Sequence, residues 1–377
     1  IALFAMVMDF SIVFLALSSI ADEFNETLRA VTWVAISTSL TISAIMLPLG
    51  RVSDITGRKK FHIFGMLFFV AGALLAFSSQ TLEMLIVSRV VMSIGSAMGQ
   101  AVVFAIIVGV FPSNERGKAL GMITTAVAIG AAAGPIIAGP VIQEFGWRAV
   151  FLFTAAPTTV GIVAAIFVLD DKRIGSTARK IGSKYDWLGA GLSAAALSLT
   201  ILTISNPFAF DWISIQIIGG AILSAALFAM LVWWELRTPD PMLNLRFFQN
   251  PTFSWSTSTR FLAFLGGSST FFLMPVFVQS FMGHDQRSAG MIMFVGAVGM
   301  GLASQLSGRL SDRYGFRRFT FIGIGTLIVT NVWFSFFVSD TPLWIVMPVL
   351  FANGLGMGMW MAPNMSAPLS TVGRGDL

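Results

Sequence analysis

Three charged residues lie inside long apolar stretches of this sequence. Asp9 lies in MVMDFSIVFLALSSI, Arg89 in LIVSRVVMSIG and Arg260 in STSTRFLAFLGG. An ionisable side chain at membrane depth costs about 2.5–3.5 kcal/mol on insertion scales and generally marks a route for protons, ions or substrate. These residues are therefore the first candidates for chemistry.

Asp9 has the position that proton exchange requires. It lies about 11 residues, or roughly 17 Å, from the outer end of its apolar run, which is near the middle of a bilayer. A carboxyl group removed from water holds its proton more readily, so a proton and a cationic substrate could compete for Asp9 near neutral pH. A structural hydrogen bond to a neighbouring helix is the alternative interpretation.

The two arginines have a narrower range of roles. A guanidinium does not lose its proton in a protein, so Arg89 and Arg260 can only tune a carboxylate or hold an anion. Arg89 could instead extend outward along its helix towards water, near Glu83. For Arg260 the functional role and an outward-reaching side chain stay equally open.

A short charged motif occurs twice in the chain. Residues 50–61 read GRVSDITGRKKF and residues 308–319 read GRLSDRYGFRRF, which indicates two bundles built on one plan. Gly50 and Gly57 permit tight backbone, and Asp54 and its copy Asp312 can cap the following helix or contact the basic side chains. We interpret these loops as gates that hold one conformation, although basic residues there also set the topology.

The fifth apolar run carries small residues at intervals of four: Ala126, Gly130, Gly134 and Ala138. Such a face suits close contact between membrane helices, and Pro135 adds a bend. The run could act as a pivot or a seal between bundles, or serve packing alone.

Composition identifies the class of protein that contains these residues. Of the 377 residues, 56% are hydrophobic, only 11% are charged and none is cysteine. This excludes a soluble enzyme, a nucleic-acid-binding protein and thiol chemistry, and it favours an all-α polytopic membrane protein. We predict twelve spans, at about 1–20, 32–50, 61–80, 82–111, 118–142, 148–169, 187–205, 212–234, 252–281, 288–307, 319–338 and 343–370.

Basic residues predict the orientation of the spans. Eighteen of the 23 lysines and arginines lie in the loops after even-numbered spans and in the C-terminal tail, and three lie in the other loops. By the positive-inside rule, the even loops and both chain ends are cytoplasmic. The net charge of +5 is then a topology signal and requires no nucleic acid as partner.

The repeat also predicts the domain organisation. We expect an N-terminal six-helix bundle at 1–169, a cytoplasmic linker at 170–186, two extra spans at 187–234, a cytoplasmic connection at 235–250 and the first four helices of a second bundle at 251–377. On this interpretation the parent protein has fourteen spans, of which the last two are missing here.

These motifs resemble those of the major facilitator superfamily, and within it the fourteen-span drug:proton antiporters. The resemblance implies a major facilitator fold with two pseudo-symmetric helix bundles and two extra central spans. It implies proton coupling for Asp9 and Arg89. The matching loop residues are Gly50, Asp54, Gly57, Arg58 and Lys59 in the first copy, and Gly308, Asp312, Arg313, Gly315 and Arg317 in the second; the antiporter motif of span 5 is Gly130, Gly134, Pro135 and Gly139.

The preferred function is proton-coupled export of hydrophobic, cationic, drug-like compounds by alternating access between two bundles. We expect a monomeric transporter in a prokaryotic cell membrane and not an enzyme. Transport is expected to use the proton gradient and no cofactor. His62 and His284 are not spaced as metal ligands. The alternatives are a proton-coupled symporter of a small organic anion, anchored by Arg89 or Arg260, and a non-transporting sensor or scaffold. Among the tryptophans, Trp360 is the candidate for a substrate contact.

Overall fold

The computed structural model describes residues 2–112, 115–170, 185–239, 241–284 and 286–369. Over these residues the chain forms twelve α-helices, one for each predicted span, and no β-strand. The helices are α1 Ala2–Phe24, α2 Leu28–Thr56, α3 Arg58–Phe77, α4 Leu82–Val110, α5 Arg116–Phe145, α6 Ala149–Val168, α7 Trp187–Ser205, α8 Ile215–Arg237, α9 Pro251–Val276, α10 Gln286–Tyr314, α11 Phe316–Phe334 and α12 Leu343–Leu369.

The helices have the length and composition of membrane spans. In the described part of the chain, nine contain a stretch long and apolar enough to cross a bilayer, and α1 contains a shorter apolar stretch, Leu3–Leu17. The remaining two, α9 and α11, carry Thr and Arg side chains that lower their hydropathy. The expected all-α fold is confirmed.

Local signals set several helix ends. Thr27 caps α2, where its hydroxyl accepts a hydrogen bond from the Ala30 N–H at 3.2 Å. Asp186 caps α7 in the same way through the Gly189 N–H at 2.9 Å. Asn206 ends α7 in the left-handed conformation, with φ of 42°, which asparagine tolerates better than most residues.

The described residues divide into two compact units. The first contains Ala16–Val110 and Phe145–Arg246. In it α4 packs against α2 and α3, α3 packs against α6, and α7 packs against both α2 and α8. Glycine permits the closest of these approaches, since a Cβ on Gly95 would lie 2.3 Å from the Gly65 carbonyl oxygen.

The second unit contains Leu3–Leu15, Phe111–Glu144 and the chain from Phe247 onward. Its central helix is α12, which packs against α9, α10 and α11. A single π-helical turn, Phe277–Phe281, continues α9. One of its hydrophobic clusters combines Met274, Val278, Ala289, Ile292, Val346 and Leu350.

Two predicted segments fall largely outside the described residues. They are most of the linker predicted at 170–186 and the end of the chain from residue 370. The predicted domain boundaries stay predictions.

Candidate functional site

Asp9 lies in α1, on the part of that helix that belongs to the second unit. Only 4% of it is exposed, and its neighbours Met8 and Ile12 are equally buried. The membrane-depth acid predicted from sequence therefore lies inside the protein and not on a lipid-facing surface. Burial of this kind is what a proton-exchanging carboxyl group requires.

The glycine motif of α5 packs directly on the turn of α1 that carries Asp9. A Cβ on Gly134 would lie 2.0 Å from the Ser11 Oγ and 3.1 Å from the Met8 carbonyl oxygen. A Cβ on Gly130 would lie 2.6 Å from the Phe4 carbonyl oxygen. The structure thus brings together two features that lie far apart in sequence, the buried acid Asp9 and the motif around Gly134.

The same helix contacts α10 nearer its N-terminal end. The Thr125 hydroxyl donates a hydrogen bond to the Gly301 carbonyl at 3.2 Å. A Cβ on Gly121 would lie 2.8 Å from the Ser304 carbonyl oxygen. Helix α5 therefore has close backbone contacts to two helices, through different sets of small residues.

Arg89 lies in α4 of the first unit and is 1% exposed. Its guanidinium carbon is 5.8 Å from the centre of the Phe151 ring, and its Nη1 is 3.5 Å from the Met92 Sδ. This burial does not fit a side chain that extends outward to water. The charge is instead held inside the unit, against an aromatic face that favours a cation.

Arg260 lies in α9 of the second unit and is half-buried. One turn earlier, the Ser256 carbonyl accepts a hydrogen bond from the Asn364 Nδ2 at 3.4 Å, which joins α9 to α12. Arg260 is therefore close to a polar contact between helices.

The two copies of the charged motif have the same backbone geometry. Gly57 separates α2 from α3 with φ of 96°, and Gly315 separates α10 from α11 with φ of 81°. The N–H of each glycine donates to a serine carbonyl four residues earlier, Ser53 or Ser311, at 3.0 Å. The sequence repeat is thus also a structural repeat.

Gly50 differs from the expectation. It lies inside α2, where an added Cβ would meet nothing within 4 Å, so it does not provide tight backbone. The Gly50 carbonyl accepts a hydrogen bond from the Ser53 hydroxyl at 2.6 Å. Its counterpart Gly308 is buried in α10, and the Gly308 carbonyl accepts a hydrogen bond from the Ser311 hydroxyl at 3.0 Å.

The basic residues of the two motifs have different surroundings. Arg58 is 8% exposed and donates from Nη1 to the Ala105 carbonyl of α4 at 3.3 Å. Lys59 donates to the Ile166 carbonyl near the end of α6 at 3.0 Å, where a cation also stabilises the helix dipole. In the second copy Arg313 and Arg317 are exposed.

The remaining motif residues are three with side chains outside the described part of the structure, and Gly139. The side chains of Asp54, Asp312 and Pro135 fall outside the described part of the structure. Gly139 is buried in α5, with open space at the position of a Cβ.

The three tryptophans Trp255, Trp333 and Trp360 lie within helices but differ in their exposure to solvent. Trp255 and Trp333 are 74% and 52% exposed, whereas Trp360 is 1% exposed. Trp360 belongs to a cluster in the second unit with Ala128, Met300, Leu327 and Met357. Of these three tryptophans, only Trp360 is packed inside the protein.

Two polar clusters were missed from sequence. In the first, Glu23 accepts hydrogen bonds from the Trp147 Nε1 at 2.5 Å and from Arg148, whose Nε also donates to the Ser79 carbonyl at 2.8 Å. Glu23 and Arg148 carry opposite charges at the ends of predicted spans, and this charge pairing is the signal in the sequence.

The second missed cluster lies where α7 begins and α8 ends. The Trp234 Nε1 donates to both oxygens of Asp186, at 2.9 and 3.1 Å. Glu235 is 3% exposed and accepts from the Leu243 N–H at 3.1 Å. The cluster joins the two helices of this pair to the following connection.

A bundle of apolar helices with a few charges held inside defines a multi-pass α-helical membrane transporter. The chain matches the Major Facilitator Superfamily over residues 1–376, and it belongs to that family. The family and the fold are those of transporters, which are not enzymes.

Several bacterial proteins are similar along nearly the whole chain. The riboflavin transporter RibZ of Clostridioides difficile is 26% identical over 99% of this chain and 79% of its own length. Multidrug resistance protein 3 of Bacillus subtilis is 28% identical over 93% of this chain and 68% of its own. Lincomycin resistance protein LmrB of Listeria monocytogenes is 26% identical over 94% of this chain and 74% of its own.

A solved structure agrees with this assignment of the fold. The proton:xylose symporter XylE, bound to 6-bromo-6-deoxy-D-glucose, superposes with a TM-score of 0.67 at 14% identity. The match covers 100% of this chain and 81% of that one. At this identity the likeness concerns the fold alone.

Proposed function

We propose that this protein exports hydrophobic, cationic compounds across a bacterial cell membrane in exchange for protons, by alternating access. The observation that carries the proposal is the packing of Gly134 of α5 on the α1 turn that holds the buried Asp9. The relatives named as multidrug and lincomycin resistance proteins support export of drug-like compounds in general.

The proton and the substrate bind at the same residue, Asp9. A buried carboxylate attracts a cationic substrate, and protonation removes that attraction, so the proton and the substrate bind in turn. The shared site then provides the exchange without a cofactor. The proposal includes a monomer with both ends of this chain in the cytoplasm, as the basic residues predict.

Inverted membrane vesicles with an acidic interior test this function. We expect tetraphenylphosphonium to accumulate in energised vesicles and to dissipate the pH gradient as it enters. Asp9→Asn should abolish both effects while the protein still inserts. Asp22→Asn, at an exposed position of α1, is the matched control and should transport normally.

Two results would contradict the proposal. Wild-type transport by Asp9→Asn would remove Asp9 from the coupling step. Absence of flux in the wild-type protein, for every cation tried, would favour a non-transporting sensor or scaffold.

A second candidate is proton-coupled symport of an organic anion. The full burial of Arg89 favours it, because a guanidinium inside the protein is a ready anchor for an anionic group. The similarity to a protein named as a riboflavin transporter also shows that relatives are not confined to drug export. Uptake of a carboxylate probe down a proton gradient, lost in Arg89→Gln, would favour this candidate.

A further inference from the structure

Trp360 of α12 carries an unused hydrogen-bond donor. The residue is 1% exposed, and its buried Nε1 has no hydrogen-bond partner in the described part of the protein. Buried polar groups are nearly always paired. The indole N–H can only donate, so the group to satisfy it must be an acceptor.

Close backbone contacts fix the position of this tryptophan. A Cβ on Gly323 of α11 would lie 2.6 Å from the Trp360 backbone nitrogen and 2.7 Å from the Gly356 carbonyl oxygen. A Cβ on Gly358 would lie 2.4 Å from the Met300 carbonyl oxygen of α10. The backbone that carries the indole is therefore held from two sides by neighbouring helices.

The side chains around it are adaptable in comparison. Met300 and Met357 belong to the same buried cluster, and Met361 packs against it. Unbranched, polarisable methionine side chains adjust to apolar groups of different shape. A fixed donor among such side chains is the arrangement expected for a site that accepts varied apolar molecules.

A second buried polar group lies on the face of α10 that meets α12. The Ser304 Oγ is fully buried and likewise has no partner among the described residues. A Cβ on Gly358 would lie 2.8 Å from the backbone nitrogen of Ser304. Thus the second unit contains two unsatisfied polar groups on the helices that meet at Gly358.

We propose that Trp360 determines substrate specificity: its indole N–H donates a hydrogen bond to an acceptor oxygen or nitrogen on a hydrophobic substrate. The apolar body of that substrate lies against Met300 and Met357. The inference rests on the export function proposed above and adds to it a preferred substrate class, cations that carry a hydrogen-bond acceptor.

Binding of two probes to the purified protein tests this role. Rhodamine 6G is a hydrophobic cation with an ester carbonyl acceptor, and tetraphenylphosphonium is one without any acceptor. Trp360→Phe keeps an aromatic ring and removes the N–H. We expect it to weaken rhodamine 6G binding roughly three- to tenfold, the range for one lost hydrogen bond, and to leave tetraphenylphosphonium binding unchanged.

Two controls accompany this comparison. Trp255→Phe, at a tryptophan that is 74% exposed, should change neither affinity. Trp360→Phe also leaves a cavity in a buried cluster and should lower the Tm of the ligand-free protein modestly, so both affinities are measured well below that Tm.

Each result bears on the inference. Unchanged rhodamine 6G binding, or equal losses for both probes, would overturn it, since equal losses indicate a packing role. The proposed function fails separately if wild-type protein binds the probes but drives no proton-coupled uptake in vesicles. If wild-type protein binds neither probe, both proposals are wrong.

Discussion

Gly134 of α5 lies so close to Ser11 of α1 that a Cβ on the glycine would be 2.0 Å from the serine Oγ. Ser11 is two residues from Asp9, and its hydroxyl donates to the Met8 carbonyl at 2.9 Å. The contact links the antiporter motif to the carboxyl group that we assign to proton exchange. An alanine at this position would force the Ser11 hydroxyl to move.

The first prediction concerns this α1–α5 contact. Gly130→Ala places a methyl group against the Phe4 carbonyl, a backbone atom that cannot rotate away. We expect a loss of transport together with a lower Tm, because overpacking costs about 1–3 kcal/mol. Gly139→Ala is the control, since a Cβ there meets nothing within 4 Å.

A double mutant sharpens the prediction. Gly134→Ala should be impaired as well, and adding Ser11→Gly should recover part of the activity because it removes the Oγ and the Cβ that crowd the new methyl group. Equal activity of Gly130→Ala and Gly139→Ala would show that close approach of the helices is not required.

The second prediction concerns the two glycines that separate helices. Gly57 and Gly315 have positive φ, in backbone regions that other residues rarely adopt and that cost them about 1–3 kcal/mol. Gly57→Ala and Gly315→Ala should each lower the Tm and slow transport without changing the order of substrate preference. Gly50→Ala, inside α2, should leave the Tm unchanged or raise it, because alanine favours a helix interior. A changed substrate profile would argue against a purely gating role.

The third prediction is a pH dependence at Glu23. Its hydrogen bond with Arg148 is the main reason that the pKa of the Glu23 carboxyl is below its ordinary value of 4.5, and Trp147 contributes in the same direction. A carboxyl group with a lowered pKa stabilises the folded state above its ordinary pKa, and this contribution is lost as pH falls through the lowered value.

Tm measurements in detergent between pH 7 and pH 3 test this sign. Glu23→Gln should lower the Tm at pH 7 only modestly, because an exposed ion pair is worth about 0.2–1 kcal/mol. The difference from wild type should shrink below about pH 4.5. Glu26→Gln, at an exposed site two residues past the helix end, should show neither effect. A difference that persists to pH 3 would exclude the ion pair as its source.

The fourth prediction concerns the cap of α7. Asp186 accepts from the Gly189 N–H and from the Trp234 Nε1, so Asp186→Ala removes a helix cap and the acceptor of a tryptophan in α8. Loss of the cap alone costs about 0.5–2 kcal/mol. We expect a clearly larger Tm decrease than for Ser214→Ala, which removes a longer capping bond of 3.4 Å at α8. Equal decreases would mean that the Trp234 contact adds nothing.

Much of this molecule follows from sequence alone, for local reasons. Apolar runs of span length form helices because a bilayer leaves no other way to satisfy the backbone. The repeated motif produced the same helix–glycine–helix geometry at Gly57 and Gly315, since only glycine adopts positive φ readily. The position of Asp9 along its span could also be counted from the sequence.

Other properties depended on which helix faces meet. Arg89 could have extended to water, and only the tertiary structure places its guanidinium inside the protein, near the Phe151 ring of α6. Trp255 and Trp360 appear alike as tryptophans within spans, yet one is 74% exposed and the other 1%. Hydropathy gives the depth of a residue in a span but not the helix face that points to a neighbour.

The α5 glycines also separate what the sequence predicts from what only the packing of helices decides. Their spacing of four residues predicted a surface for close helix contact, and the sequence contains nothing that identifies the partner. Tertiary packing assigned Gly130 and Gly134 to α1, and Gly121 and Thr125 to α10. Sequence determined that this protein is a membrane-embedded helical transporter with an acid inside its first span. Only the tertiary structure placed that acid against the glycine motif, because contacts between distant segments depend on how the helices are rotated about their axes.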